Sequence, residues 1–251
     1  MNKTALITGA SSGIGKSTAQ ILAKNGFNLI ICGRRLDKLE ALKQELENSV
    51  KVHILCFDVR DKNIVNEKIA SLPIDFQNID VLINNAGNAH GLSSIQTGDL
   101  SDWDAMIDIN VKGLLYVSKA ILPQMVEKKS GHIVNIGSIA GKETYPNGNV
   151  YCASKYAVDA ISEGMRKDLN PFGIKVTQIC PGLVETEFSE VRFKGDKEKA
   201  ANVYKGYEPL QAIDIAEIIY FCVSRPKHVN LADILVLPTA QASATIVKKE
   251  I

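Results

Sequence analysis

The sequence predicts an α/β fold, a single domain built on a doubly wound parallel sheet with helices on both faces. Three observations carry that expectation. Short β-branched or aliphatic runs alternate with longer stretches of helical periodicity. The short runs are nearly continuous in apolar residues, as strands buried on both faces of a parallel sheet must be. No repeat, low-complexity tract or Pro/Gly/Ser-rich linker divides the 251 residues, a length that one large α/β domain fills.

Strands are expected at 5–8, 28–32, 52–57, 81–84, 132–136, 175–180 and 234–237. The clearest helix between them is 36–46, where Leu36, Leu39, Leu42 and Leu46 form one apolar stripe among charges. Ser101-x-x-Asp104 offers capping chemistry at the start of a long helix running towards Val126. Another helix is expected over 150–169. Such alternation with right-handed crossovers gives a Rossmann-type sheet, and ligands bind outside the carboxyl ends of its strands. The charge-rich stretch 185–209, interrupted by Lys194-Gly195-Asp196, departs from the alternation. It is expected to be a substrate lid, with a plain solvated helix pair as the alternative.

Composition sets outer limits. Lys and Arg number 29 against 28 Asp and Glu, a net charge of +1, so no basic excess points to nucleic acid or to an anionic membrane. Cys32, Cys56, Cys152, Cys180 and Cys222 form no CxxC pair, and their odd number suits a disulfide framework poorly; Cys32, Cys56 and Cys180 lie in apolar runs and read as small core residues in a reducing compartment. His53, His90, His132 and His228 are scattered without metal-ligand spacing, so no metal is expected. No signal-peptide pattern is visible, and no run approaches the roughly 18 apolar residues of a membrane span. A soluble cytoplasmic protein is expected.

The motifs carry the chemistry. Thr8-Gly9-Ala10-Ser11-Ser12-Gly13-Ile14-Gly15 follows the first strand and opens a helix. Glycines allow close approach to a pyrophosphate, and helix N-terminal N–H groups receive its charge. A merely structural turn is the alternative. At the end of the second strand stands Gly33-Arg34-Arg35, where an acidic residue would suit the ribose of NAD. Two guanidinium groups suit a 2′-phosphate instead, which favours NADP(H); two solvated surface charges are the alternative. Asp37 lies three residues further on and suits a helix's first turn.

Tyr151 and Lys155 stand at i and i+4, hence on one helix face. A neighbouring ammonium favours the phenolate and lowers the tyrosine's pKa towards a working range, as a proton shuttle requires. The pair alone is a weak motif that chance supplies in many helices. It is reinforced by Ser138 at the end of a strand, by Asn84-Asn85-Ala86-Gly87 at the end of another, and by Asn110 inside a helix, where propensity disfavours it.

Together with Asp58-Val59 and Pro181-Gly182, these motifs resemble the short-chain dehydrogenase/reductase family in order and spacing, over essentially the whole chain. That resemblance implies a catalytic tetrad of Asn110, Ser138, Tyr151 and Lys155. Tyr151 would transfer the proton, Lys155 would hold the nicotinamide ribose and lower the tyrosine pKa, and Ser138 would position the substrate oxygen. Asn110 would help hold a water leading to Lys155. The cofactor set implied is Gly9, Ser11, Ser12, Gly13, Ile14, Gly15, Arg34, Arg35, Asp58, Val59, Asn85, Ala86, Gly87, Tyr151, Lys155, Pro181, Gly182, Val184 and Thr186. Homotetramers are common in the family, and the long apolar helices could pack between subunits.

Leu72-Pro73, Tyr145-Pro146, Asn149-Val150, 191–196 and the terminal Leu237-Pro238-Thr239-Ala240-Gln241 are similar to the NADP-dependent 3-hydroxy acid dehydrogenase subgroup. That likeness implies serine, allo-threonine and 3-hydroxypropionate type substrates, interconverted with 3-oxo acids such as malonic semialdehyde. Such substrates carry a carboxylate, and Arg192 on the expected lid is the candidate to bind it, beside Ser138 and Tyr151. Within the family the alternatives are a 3-oxoacyl-carrier-protein reductase or a general carbonyl reductase. The former typically ends in a glycine-rich strand, where this chain has Leu235-Val236-Leu237-Pro238-Thr239. A non-catalytic NADP(H)-sensing binding protein is the alternative of another class; such relatives usually lack a tetrad member, and all four are present here.

Overall fold

The computed structural model describes residues 2–250. Its first strand, β1 (Thr4–Thr8), is buried along its whole length. Successive strand side chains point to opposite faces, so Ala5 and Ile7 join one apolar core while Leu6 joins another. A sheet covered on both sides needs this continuous apolar run.

Along the chain β1 is followed by α1 (Gly13–Lys24), β2 (Asn28–Gly33), α2 (Leu36–Leu46), β3 (Val52–Cys56), α3 (Lys62–Ala70) and β4 (Val81–Asn84). Then come α4 (Leu100–Ile107), α5 (Leu114–Glu127), β5 (Gly131–Ile136), α6 (Asn149–Leu169) and β6 (Ile174–Pro181). An excursion through β7 (Val184–Glu185), α7 (Phe188–Arg192), α8 (Lys197–Tyr204) and β8 (Leu210–Gln211) precedes α9 (Ala212–Ser224) and β9 (Asp233–Val236).

The main sheet has the order β3-β2-β1-β4-β5-β6-β9, with every pairing parallel. One face is covered by Leu22 of α1, Leu39 and Leu42 of α2 and Ile215 and Ile219 of α9. The other is covered by Val65 of α3 and by Val117, Ile121 and Met125 of α5. The order of connection reverses between β1 and β4, which opens a crevice at their carboxyl ends. All seven expected strands are present, each within one residue of its expected ends.

The helices depart from expectation in three places. The helix expected to open at Ser101 opens at Leu100, capped by Asp99, whose carboxylate accepts from the Ser101 amide at 2.8 Å and hydroxyl at 2.7 Å. Aspartate is as good a cap as serine, and here it stands ahead of the serine in the chain. The single helix expected up to Val126 is interrupted at Asp108–Gly113 by a widened π-type turn, which contains Asn110. Such turns insert a residue into the helical ladder and commonly mark functional positions. On α2, Leu36 is 47% exposed, so the buried stripe is Leu39, Leu42 and Leu46.

In the excursion, Val184 pairs with Leu210 and Glu185 with Gln211. The segment therefore leaves and returns through one narrow two-stranded neck. His132 is a buried core residue with Nε2 2.8 Å from Thr177 Oγ1, and burial pulls its pKa down to about 3. Among the described residues no helix is long and apolar enough to cross a membrane.

Candidate active site

Where the strand order reverses, Thr8 fastens the ends of β1 and β4 together. Its hydroxyl accepts from the amides of Asn85 and Ala86, both at 3.0 Å, and donates to the Ile83 carbonyl at 3.3 Å. The glycine loop follows directly. Gly9 (φ 67°) and Gly13 (φ 52°) occupy the left-handed region that a side chain strains. Gly15 is required for another reason. A Cβ there would lie 2.3 Å from the Gly9 carbonyl oxygen and 2.5 Å from Asn85 Nδ2, so the first turn of α1 rests directly on the loop. Gly15 thus supports the cleft from behind, while Gly9, Ser11, Ser12, Gly13 and Ile14 line it. Ser12 stands at the N-cap of α1 but makes no side-chain cap bond. Its hydroxyl accepts from Arg35 Nη2 at 2.7 Å instead, and among the described residues no side chain caps the first-turn N–H groups against an incoming anion.

The two arginines reach this wall differently. The Arg34 side chain is 57% exposed, and its ion pair is a loose 3.7 Å contact with Asp58. Asp58 is committed to Arg60, at 2.6 Å from Nη2; burial alone would raise its pKa, but the Arg60 hydrogen bonds hold it below the usual carboxylate range. Arg34 is therefore a cation with capacity to spare. Arg35 is turned inward. Its Nε and Nη2 donate to Ser11 Oγ at 3.2 and 2.9 Å, and its Nη1 donates to Glu187 at 2.8 Å. It braces the glycine loop and ties it to the segment after β7.

Tyr151 and Lys155 lie on the buried face of α6, and both line the cleft. The Lys155 ammonium donates to the Ile136 carbonyl at the end of β5 at 2.9 Å. Burial lowers its pKa to about 8. Gly87 lets this ammonium come close: a Cβ there would be 3.6 Å from Lys155 Nζ and 2.9 Å from Asn110 Oδ1. Ser138 follows the end of β5, with its hydroxyl accepting from the Ala140 amide at 3.1 Å. For Tyr151, burial pushes the phenol up, opposed first by the Arg192 cation and then by a hydrogen bond with Ser138. Lys155 is engaged with the β5 carbonyl, and the Arg192 guanidinium carbon lies 4.9 Å from the Tyr151 ring centroid.

Asn110 is 2% exposed in its π turn and makes three hydrogen bonds. Its Oδ1 accepts from the Asn88 amide at 2.9 Å, and its Nδ2 donates to the Asn88 carbonyl at 2.8 Å and to Ser154 Oγ at 3.0 Å. The side chain thus clamps the loop following β4 against α6.

The cleft holds about 450 Å³. Besides the residues named, Asp58, Val59, Asn85, Ala86, Gly87, Pro181, Gly182, Val184, Thr186 and Arg192 line it. Of the site residues read from the sequence, Gly15 stands behind the wall and Asn110 acts from beneath it. Residues of the excursion line the end of the cleft at Tyr151, where the Phe188 ring lies 5.7 Å from the Tyr151 ring. Arg192 Nη2 donates to the Tyr145 hydroxyl at 2.9 Å, while its buried Nε has no partner among the described residues. Sequence reasoning missed Thr8, Tyr145, Phe188 and Glu187 as site residues. Thr8 carried a signal as the first residue of the glycine-loop motif, and Tyr145 carried one in the Tyr145-Pro146 pair just ahead of Tyr151; Phe188 and Glu187 carried none.

Residues 3–197 match the short chain dehydrogenase family profile. An NADP-dependent 3-hydroxy acid dehydrogenase of Schizosaccharomyces pombe is 46% identical, over 99% of this chain and 97% of that protein. A sulfoacetaldehyde reductase of Chromohalobacter salexigens is 45% identical, over 96% of each. Among solved structures, the closed form of serine dehydrogenase complexed with NADP+ superposes with a TM-score of 0.94 at 41% identity, covering 99% of this chain and 100% of that one.

Proposed function

The chain belongs to the short-chain dehydrogenase/reductase family, and on that footing we propose that it interconverts small 3-hydroxy acids and 3-oxo acids with NADP(H). The observation that carries the substrate class is Arg192. It lies over Tyr151 in the cleft, with one buried guanidinium N–H unpartnered among the described residues. A buried donor without a partner is costly, and a substrate carboxylate would satisfy it. The relatives agree with this chemistry, since a 3-oxo acid and sulfoacetaldehyde can each place an anion one methylene from the reacting carbonyl.

The cleft fits NADP(H) on its own geometry. The uncapped N-terminus of α1 suits the pyrophosphate, and Arg34 suits the 2′-phosphate with Arg35 bracing the loop beneath. Asp58 and Val59 would flank the adenine. Asn85, Ala86, Gly87, Lys155 and the Pro181, Gly182, Val184 and Thr186 wall would receive the nicotinamide and its ribose. When bound, the nicotinamide supplies or accepts the hydride. Tyr151 then donates its phenolic proton to the carbonyl oxygen in reduction and takes it from the hydroxyl in oxidation. Ser138 holds the same oxygen. Arg192 fixes the carboxylate and, lying against the Tyr151 ring, favours its phenolate. Asn110 keeps the loop and α6 in register, and a water held beside it serves Lys155.

Arg192→Ala tests this reading through KM for 3-hydroxypropionate against KM for a neutral secondary alcohol. The expected result is a selective rise for the acid, about tenfold to a hundredfold for a lost charge-assisted contact. Equal effects on both substrates would remove Arg192 from the anion site. We further infer a cytoplasmic homotetramer. Five free cysteines support the reducing compartment, and exposed Leu115 on α5 and Tyr156 on α6 support burial between subunits. Light scattering coupled to gel filtration reads the assembly, and a monomer would overturn it.

A further inference from the structure

Helix α7 has only five residues. A helix so short does not hold its own conformation in water, so its position is set by what pins it; within it Ser189 Oγ lies 2.7 Å from the Tyr204 hydroxyl, and both ends are tied as well. At the far end the Arg192 carbonyl accepts from the Gly91 amide at 2.9 Å. At the near end stands Glu187, and both its carboxylate oxygens are used. Oε2 is 2.8 Å from Arg35 Nη1, and Oε1 is 2.8 Å from Lys38 Nζ. Burial opposes the Glu187 charge, but the Lys38 and Arg35 hydrogen bonds prevail and bring its pKa down to about 2. Beside it, Thr186 packs against Gly13, where a Cβ would stand 3.3 Å from the threonine side chain.

The two cations that hold Glu187 belong to the start of α2, and Arg35 also braces Ser11 and Ser12 of the glycine loop. The same short strut carries Arg192 at its other end, over Tyr151. An isolated exposed ion pair contributes little. Here one carboxylate joins Arg35 of the cleft wall and Lys38 of α2 to the near end of a strut whose last residue lies over Tyr151.

We propose that Glu187 is a positioning residue for Arg192: by pinning the start of α7 to Arg35 and Lys38, it holds the guanidinium over Tyr151 and so couples the cofactor wall to the substrate's anion site. This rests on the reading of Arg192 as the carboxylate anchor. The coupling predicts that a fault at the cofactor wall is felt as weaker binding of acids, not of neutral substrates.

The experiment compares wild type, Glu187→Gln, Glu187→Asp, Arg192→Ala and the double variant E187Q/R192A, all with saturating NADP+. The readouts are KM and kcat for 3-hydroxypropionate and for a neutral secondary alcohol, and the inhibition constant of malonate as an unreactive carboxylate. E187Q is expected to raise the acid's KM and the malonate constant about threefold to tenfold, as loss of a small ion-pair network would. KM for the neutral alcohol stays within about twofold, and E187D recovers part of the loss because it keeps the charge. In the R192A background E187Q adds nothing, since Glu187 acts through Arg192. E187Q with unchanged acid constants, with equal effects on acid and alcohol, or with a full additional loss in R192A would overturn the assignment. A selective R192A beside a silent E187Q rejects Glu187 alone. A non-selective R192A rejects the anion-site reading and this coupling with it.

Discussion

Asn110→Ala separates a structural clamp from a purely chemical role. The substitution removes three hydrogen bonds of 2.8–3.0 Å made by a side chain that is 2% exposed. Ser154 keeps a partner, because its hydroxyl also donates to the Tyr151 carbonyl at 2.7 Å. Asn88 is half-buried, so water recovers part of what its backbone loses. At about 1 kcal/mol net per bond, the cost is about 2–3 kcal/mol. For a domain of this size each kcal/mol lowers Tm by about 2–4 °C, which gives a fall of roughly 4–12 °C. The same clamp holds the loop that carries Asn85 and Gly87 onto the cleft, so NADPH affinity should fall together with stability. Differential scanning fluorimetry with and without NADPH, and a fluorescence titration of NADPH, read both quantities. An unchanged Tm and NADPH affinity with only kcat lost would refute the clamp and leave Asn110 a purely chemical role.

Other perturbations follow from the same geometry. Arg34→Gln should weaken NADP(H) about tenfold or more while leaving NAD(H) nearly unchanged, with a shallower salt dependence, because Arg34 is the cation left free for a phosphate. Arg35→Gln should weaken both cofactors, since Arg35 braces Ser11 and Ser12; paired titrations at two ionic strengths distinguish the two arginines. Lys155 gives a pH signature. Its pKa falls from 10.5 to about 8 in the fold, so the unfolded chain holds more protons between those values and this lysine's contribution to stability climbs with pH across that window. Lys155→Met removes the titration. Its stability relative to wild type in urea should decline from about pH 8 towards 10.5, and a constant difference would show that the lysine is not desolvated.

Much of the architecture was legible because burial on both faces writes itself as unbroken apolar runs, and β1, with its two-sided core, shows why. The glycine loop was legible because close backbone approach leaves no alternative to glycine: a Cβ at Gly15 would stand only 2.3 Å from the Gly9 carbonyl oxygen. The π turn at Asp108–Gly113 was not legible, since one inserted residue scarcely disturbs a helical hydrophobic pattern. Arg192 was nominated for the substrate, but its place over the Tyr151 ring was not legible for a related reason. Local spacing nominates Lys155 at i+4, whereas the guanidinium over the ring arrives from the excursion after β7. The partner of Arg35 was equally hidden, because a contact between residues 152 positions apart leaves no local trace. Sequence periodicity reports local geometry, and this site is completed by a strut that folds back from far along the chain.

Initial rates with NADP+ and with NAD+, each against L-serine, L-allo-threonine, 3-hydroxypropionate and a neutral secondary alcohol, test whether the cleft is built for a phosphorylated cofactor and an anionic substrate. The expected result is NADP+-dependent oxidation confined to the hydroxy acids. Turnover of the neutral alcohol alone, or equal use of both cofactors, would contradict it.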